Sequence, residues 1–234
     1  MLKVSFVIPA HNAAAWLGHA VQSCLEQTYK NCEIVIVNDG STDSTEDYLK
    51  WLESQNPKNV VIVRHATPKG RSAARNAGNA AASGDVIAVL DADDLALPNR
   101  AQITAQRFNC GAQFVYGSAY VMDAVGRKLT EVIAQPFDKI RALEEQVNSI
   151  VHSTTAYTKK LAMRFPYRDG EPARLGVDDW LQQTEMLFAG IKFTHISEHI
   201  AAYRVLEGSV SNTRNEEEVK RFKQATLEAL RIPV

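Results

Sequence analysis

The stretch Val86-Ile87-Ala88-Val89-Leu90-Asp91-Ala92-Asp93-Asp94 constrains this chain more than any other, because five apolar residues run straight into three carboxylates. The apolar run reads as a central strand buried on both faces, of the kind parallel sheets use. Ending a buried strand in clustered acids is costly, since like charges a few ångströms apart repel. A divalent cation tolerates such a cluster best: Mg²⁺ and Mn²⁺ take carboxylate oxygens and keep substrate phosphates among their other ligands. The stretch therefore predicts a metal–phosphate site at the carboxyl end of a central strand.

The rest of the first half fits such a sheet. Val4-Ser5-Phe6-Val7-Ile8, Glu33-Ile34-Val35-Ile36-Val37 and Val60-Val61-Ile62-Val63 are apolar, β-branched runs. Helical patterns lie between them over about 14–26, 44–54 and 72–82, with Asn12 as the expected cap of the first. Strand and helix alternate four times, so right-handed crossovers and a mostly parallel sheet follow. Ligands lie off the carboxyl ends of such strands. There the loops Pro9–Asn12, Asn38–Asp43 and Asp91–Asp94 should meet, all polar and two of them acidic. No Gly-x-Gly-x-x-Gly follows the first strand and no phosphate-cradling Gly-x-x-x-x-Gly-Lys loop occurs, which argues against a dinucleotide cofactor and a P-loop NTPase.

The second half is less regular. Phe114-Val115-Tyr116 and Ala119-Tyr120-Val121-Met122 read as two strands, 139–148 as a helix, and Asp178-Asp179-Trp180 as the opening of another. Lys192–Ile196 and Ile200–Tyr203 read as short strands, and Asn215–Leu230 as a last amphipathic helix. No linker is visible, so one domain is expected over 1–234: a nucleotide-binding half to about residue 95, an acceptor half to about 212, and a C-terminal helix. Net charge is −1, which gives no reason to expect nucleic acid as a partner. Cys24, Cys32 and Cys110 have no metal-ligand spacing and read as reduced thiols. No signal peptide and no apolar run of the ~18 residues that a span requires is seen, so a cytoplasmic protein is expected. Peripheral contact at the inner face of the membrane, through the last helix, is a further expectation.

Five motifs in order, Val7-Ile8-Pro9-Ala10-His11-Asn12, Val37-Asn38-Asp39-Gly40-Ser41-Thr42-Asp43, Ala74-Arg75-Asn76-Ala77-Gly78, Leu90-Asp91-Ala92-Asp93-Asp94 and Val177-Asp178-Asp179-Trp180, resemble the family 2 glycosyltransferases. The resemblance spans about residues 4–212. It implies an α/β, GT-A fold: a Rossmann-like, mostly parallel central sheet flanked by helices, with a smaller acceptor-binding half. It implies inverting transfer of a sugar from a nucleoside diphosphate sugar, UDP-linked by preference, to a saccharide or lipid-linked saccharide acceptor, in bacterial surface-polysaccharide or lipopolysaccharide assembly. Mn²⁺ or Mg²⁺ would be the cofactor.

Carried over by position, Pro9, His11, Asn12 and Ala92 would line the nucleotide-sugar pocket and Asp39 would accept from the base. Arg71 or Arg75 would lie near the phosphates, Asn76 near the ribose or sugar. Asp91 would meet the ribose or sugar and share the metal with Asp93. The pair Asp178 and Asp179 would supply the base, with Asp179 preferred. Tyr203-Arg204 and Gly208-Ser209-Val210-Ser211 resemble the segment that closes on the diphosphate. Leu206 stands where many members have histidine, and His11 where tyrosine is usual.

Plainer readings exist. Asp91–Asp94 could be a solvated strand end, Asp178 a helix cap, Asp39 part of a turn and Arg75 an ion-pair partner. His152, His195 and His199 read as structural or surface residues, with His152 the best exception. A nucleotidyltransferase would carry a glycine- and arginine-rich loop after the first strand, which Pro9–Asn12 is not. A nucleotide-sugar-binding module of the same fold without catalysis is the remaining alternative.

Overall fold

The computed structural model describes residues 1–137, 150–207 and 215–231. The helix expected over 139–148 and the expected closing segment over 208–211 lie outside the described residues. In chain order the elements are β1 (Val4–Ala10), α1 (Leu17–Leu25), β2 (Cys32–Asp39), α2 (Thr45–Ser54), β3 (Val60–His65), α3 (Arg71–Ala81) and β4 (Val86–Val89). There follow β5 (Leu95–Ala96), α4 (Arg100–Asn109), β6 (Phe114–Met122), β7 (Lys128–Val132), a 3₁₀ turn (His152–Thr154) and β8 (Ala156–Thr158). The chain continues through α5 (Lys159–Arg164), α6 (Glu171–Leu175), α7 (Asp178–Phe188), β9 (Phe193–Arg204) and α8 (Glu216–Arg231).

Among the described residues one sheet runs β3-β2-β1-β4-β8-β6-β9-β5, with β7 beside β6. β3, β2, β1 and β4 are parallel, and β8 joins antiparallel to β4. The period of two along β1 explains how its faces divide. Phe6 and Ile8 pack with Leu17, Val21, Ile34, Ile36 and Leu49 on one side, while Val7 packs with Val35, Ile87, Val89 and Phe114 on the other. Each such fully buried side chain contributes about 1.5–3 kcal/mol relative to exposure. α3 lies directly on β1 and β2, where a Cβ at Gly78 would come 2.4 Å from Val7 Cγ1. Only glycine permits that approach.

Glu33, on β2 opposite Ser5, is a buried acid with a full set of donors. It accepts from Ser5 Oγ and Ser83 Oγ at 2.6 Å and pairs with Lys3 Nζ at 2.6 Å. Burial alone would raise its carboxyl, but these donors outweigh it and bring the pKa down to about 2.

Three expectations are corrected. The two strands predicted around Gly117-Ser118 are one, β6, paired in parallel with a single β9 where two short strands were expected. Gly117 is not a break: a Cβ there would sit 2.6 Å from Ile200 Cδ1, so its lack of side chain lets β9 approach. Asn12 does not cap α1, which starts at Leu17. Instead Asn12 adopts a positive φ of 50° and its Oδ1 accepts from the Thr42 N–H at 2.8 Å, tying the first loop to the second. The last helix is docked, with Val219 and Leu227 buried against Leu175, Val177, Trp180 and Leu181.

Candidate active site

The parallel order of β2, β1 and β4 brings their carboxyl ends to one edge, and there a cavity of about 1420 Å³ opens. Pro9, His11 and Asn12 line it from β1, Asp39 from β2, Asp91, Ala92 and Asp93 from β4, and Arg71 and Arg75 from α3. Asp178, Asp179 and Trp180 enter from α7, and Tyr203, Arg204 and Leu206 from the end of β9. Asn76 is outside this lining: its amide donates to the Tyr167 carbonyl and accepts from the Tyr167 N–H, both at 2.9 Å. A side chain clasped at both ends by main chain ties α3 to Tyr167.

The loops are held from behind. His11 Nδ1 lies 2.7 Å from the Asp39 carbonyl. A carbonyl can only accept, so the ring proton is on Nδ1. The Asp39 carboxylate accepts from the Lys69 and Gly70 N–H groups at 2.9 and 2.8 Å and meets His65 Nδ1 at 2.6 Å. Burial works against its charge, but these partners hold its pKa below the ordinary value. Asp39 is thus an ionised acceptor fixed at the cavity wall.

The centre of the site is Arg75. It donates to Asp178 Oδ2 at 2.8 Å and to Asp91 Oδ1 at 2.9 Å. Arg71 Nε adds a second contact to Asp178 at 3.2 Å, and Ser72 Oγ a third at 3.1 Å. Arg71 also donates to the Ala173 carbonyl. α3 therefore joins the acidic end of β4 to the first turn of α7. Asp178 is buried and fully engaged, so capping alone does not describe it, while Asp179 is half-buried on the cavity wall.

The three acids after β4 differ electrostatically. Burial pushes Asp91 up, but Arg75 more than offsets it and its pKa falls below the ordinary value. Asp93 has no comparable ion pair among the described residues, and Arg204 and Arg75 only partly offset what acts on it. Burial and then the Asp91 charge push it up to about 6. Asp94 is buried, and burial with Asp93 and Asp91 as neighbours raises it well above its ordinary value. Its Oδ1 accepts from the Arg204 N–H at 2.7 Å, while Arg204 Nε donates to the Asp93 carbonyl at 2.8 Å. Arg204 also donates to the Asp123 and Ala124 carbonyls and lies 4.6 Å over the Trp16 ring. It acts on the acidic loop, whatever it does for a ligand.

A divalent ion fits this donor set. Asp91 and Asp93 offer hard oxygen ligands side by side on the cavity wall. Among the described residues no group of three or more His, Cys, Asp or Glu side chains could hold a metal. Two carboxylates completed by substrate phosphates is the usual arrangement for Mg²⁺.

Sequence reasoning passed over two of the site's supports, Ser153 and Arg100, and held His152 only as the exception among histidines read as structural. His152 lines the cavity, with Nε2 3.1 Å from Tyr167 Oη. Burial, with the nearby Arg75 charge, lowers its pKa and keeps the ring neutral. Ser153 Oγ accepts from the Asp91 N–H at 3.0 Å. Arg100, fully buried, donates to the Val89 carbonyl at 2.6 Å and so braces the end of β4. Trp180 follows directly on the acid pair, a signal available in the sequence. Arg100 carried none.

The architecture is that of the GT-A glycosyltransferases. It matches S. aureus TarS in complex with UDP-GlcNAc at a TM-score of 0.77 and 17% identity, covering 99% of this chain and 68% of that one. It matches the mannosyltransferase PcManGT from Pyrobaculum calidifontis, in complex with GDP-Man and Mn²⁺, at a TM-score of 0.70 and 16% identity, covering 100% and 65%. Residues 5–165 match the family described as Glycosyl transferase family 2, and the chain belongs to that family. It is 30% identical over 222 residues to an Escherichia coli relative, UDP-Glc:alpha-D-GlcNAc-diphosphoundecaprenol beta-1,3-glucosyltransferase WfaP, covering 94% of this chain and 84% of that protein. The chain spans less than half the length of the first curated relatives it matches, 46% in the most extensive case.

Proposed function

We propose that this protein moves a sugar, with inversion, from a UDP-sugar to a hydroxyl of a lipid-linked saccharide at the cytoplasmic face of a membrane, in surface-polysaccharide assembly. The observation that carries the reading is the Arg75 bridge, which places the leaving-group loop Asp91–Asp93 and the acid pair Asp178–Asp179 in one cavity. The UDP preference and the acceptor class are supported by WfaP's own donor and acceptor and by the nucleotide sugar bound to TarS. Among the described residues no helix is long and apolar enough to cross a membrane.

In this reading Pro9 and His11 flank the base and the Asp39 carboxylate accepts from its ring N–H. Asn12 and Ala92 close the pocket around the nucleotide. Mg²⁺ or Mn²⁺, held by Asp93 and Asp91, would neutralise charge developing on the diphosphate. Asp178, fixed by Arg71, Arg75 and Ser72, orients the first turn of α7. Asp179 takes the proton from the acceptor hydroxyl. The oxygen attacks the anomeric carbon on the face opposite the diphosphate. The bond to the phosphate oxygen breaks, and its electron pair leaves on the nucleoside diphosphate.

A screen of UDP-, GDP- and dTDP-sugars with Mn²⁺ tests this. Release of nucleoside diphosphate from a UDP-sugar is the expected result. Metal-dependent nucleotide binding without turnover on any lipid-linked acceptor would replace it with the non-catalytic module.

A further inference from the structure

We propose that His65 is a positioning residue for base selection: it fills one oxygen of the Asp39 carboxylate, leaving a place for a single N–H and so favouring uracil over guanine. The proposal rests on the transferase reading of the cavity. β2 and β3 pair in parallel with Asp39 opposite His65, so the two side chains stand next to each other on one face of the sheet. His65 Nδ1 lies 2.6 Å from Asp39 Oδ1, and the His65 side chain is 9% exposed. An ionised carboxylate can only accept, so the ring proton is on Nδ1. Asp39 lines the cavity, whereas His65 is absent from the described residues that line it. What His65 does for a ligand, it does through Asp39.

The acceptor sites of Asp39 are nearly all used. A carboxylate has about four lone-pair sites, about two on each oxygen. Oδ1 accepts from His65 Nδ1 and from the Lys69 N–H at 2.9 Å, so both of its sites are filled. Oδ2 accepts from the Gly70 N–H at 2.8 Å, which leaves one. The loop carrying these amides comes this close because residue 40 is glycine: φ is 63°, and a Cβ there would meet Pro68 N at 2.5 Å. At the main chain, His11 Nδ1 donates to the Asp39 carbonyl at 2.7 Å. Asp39 is thus held at carbonyl and carboxylate, and it cannot turn to offer both oxygens. Uracil presents one ring N–H between two carbonyls and requires one acceptor. Guanine presents a ring N–H and an exocyclic amine side by side, and a carboxylate takes both only with both oxygens free. With Oδ1 filled, one guanine donor enters the pocket unpaired, which is costly.

Titration calorimetry with UDP, GDP and inorganic pyrophosphate, each with Mg²⁺, is run on the wild type, His65→Leu and His65→Asn. UDP and GDP share the diphosphate, so the ratio of their constants reads the nucleoside alone. The wild type should bind UDP at least about tenfold more tightly than GDP. His65→Leu has no donor and should narrow that ratio about tenfold, with pyrophosphate unchanged. Asparagine places an amide N–H where the imidazole carries Nδ1–H, so His65→Asn should restore most of the ratio. A merely structural His65 would weaken UDP and GDP together and leave the ratio in place. A ratio in His65→Leu within about twofold of wild type overturns the proposal, as does His65→Asn behaving like His65→Leu. A wild type that binds UDP and GDP alike overturns it too. If thermal melting shows His65→Leu unfolded, His65→Ala is read by the same ratio. Each of these results leaves the transferase reading standing. A wild type that binds neither nucleotide overturns that reading itself, before any variant is compared.

Discussion

Arg75 and Asp178 meet at 2.8 Å, one on α3 of the parallel half and the other on the first turn of α7, and both are more than nine-tenths buried. Through this contact the two halves of the chain share one cavity. Asp91 sits on the same guanidinium at 2.9 Å.

Removing the guanidinium leaves two carboxylates without their partner. Arg75→Met should cost about 3–5 kcal/mol, the usual cost of breaking a buried pair from one side. Asp178→Asn keeps a hydrogen-bond acceptor toward Arg75 and should cost about 1–3 kcal/mol. Urea denaturation of the two variants measures the difference, and equal losses would argue against the bridge.

The metal-free site should be strained by its own charge. The Asp93 carboxyl is raised from 3.8 to about 6 by burial and by Asp91. A raised value means that stability is fully present below the unfolded value and is lost as pH rises through the folded one. We therefore expect Asp93→Asn to melt with the wild type near pH 3.8, to gain on it progressively toward pH 6, and to stay above it at higher pH. Mn²⁺ should raise the wild-type melting temperature and leave Asp93→Asn unmoved. The gain in stability should come with loss of sugar transfer, as at other sites where function requires unfavourable contacts.

Glu33 behaves in the opposite sense. Its pKa falls from 4.5 to about 2 on folding, so its contribution is complete above 4.5 and disappears as pH falls toward 2. That contribution is at most about 3 kcal/mol. Glu33→Gln should flatten the acid limb of the melting-temperature profile, and an unchanged slope in that range would remove Glu33 from the account of acid unfolding.

Gly78 tests the packing of α3 on the sheet. A methyl group there would overlap Val7 Cγ1 and come 3.2 Å from Val37 Cγ2. Gly78→Ala should cost about 1–3 kcal/mol through overpacking, despite alanine's better helix propensity. A stabilised variant would show that α3 can move off β1.

The parallel half was legible because its strands are buried on both faces and so read as unbroken apolar runs. Phe6, Ile36 and Ile87 needed no tertiary information to be placed. The loops at their carboxyl ends followed from topology. Gly117 misled because glycine in a strand has two uses, and a close approach by Ile200 resembles a break. Asn12 misled because its side chain finds Thr42, distant in sequence, before any helix N–H. Arg75 was weighed as an ion-pair partner and as a phosphate ligand. Only the three-dimensional positions of Asp91 and Asp178 show its pairing. Arg100 and Ser153 could not be found from sequence, since what they hold are main-chain groups of the β4 end.

The most direct test of the central claim is single-turnover transfer from a UDP-sugar by Asp179→Asn, with UDP binding measured on the same protein. Loss of transfer by at least about a hundredfold, the lower range for a general base, with UDP affinity and melting temperature unchanged, is the expected result. Transfer at the wild-type rate would contradict it and would move the base elsewhere in the cavity.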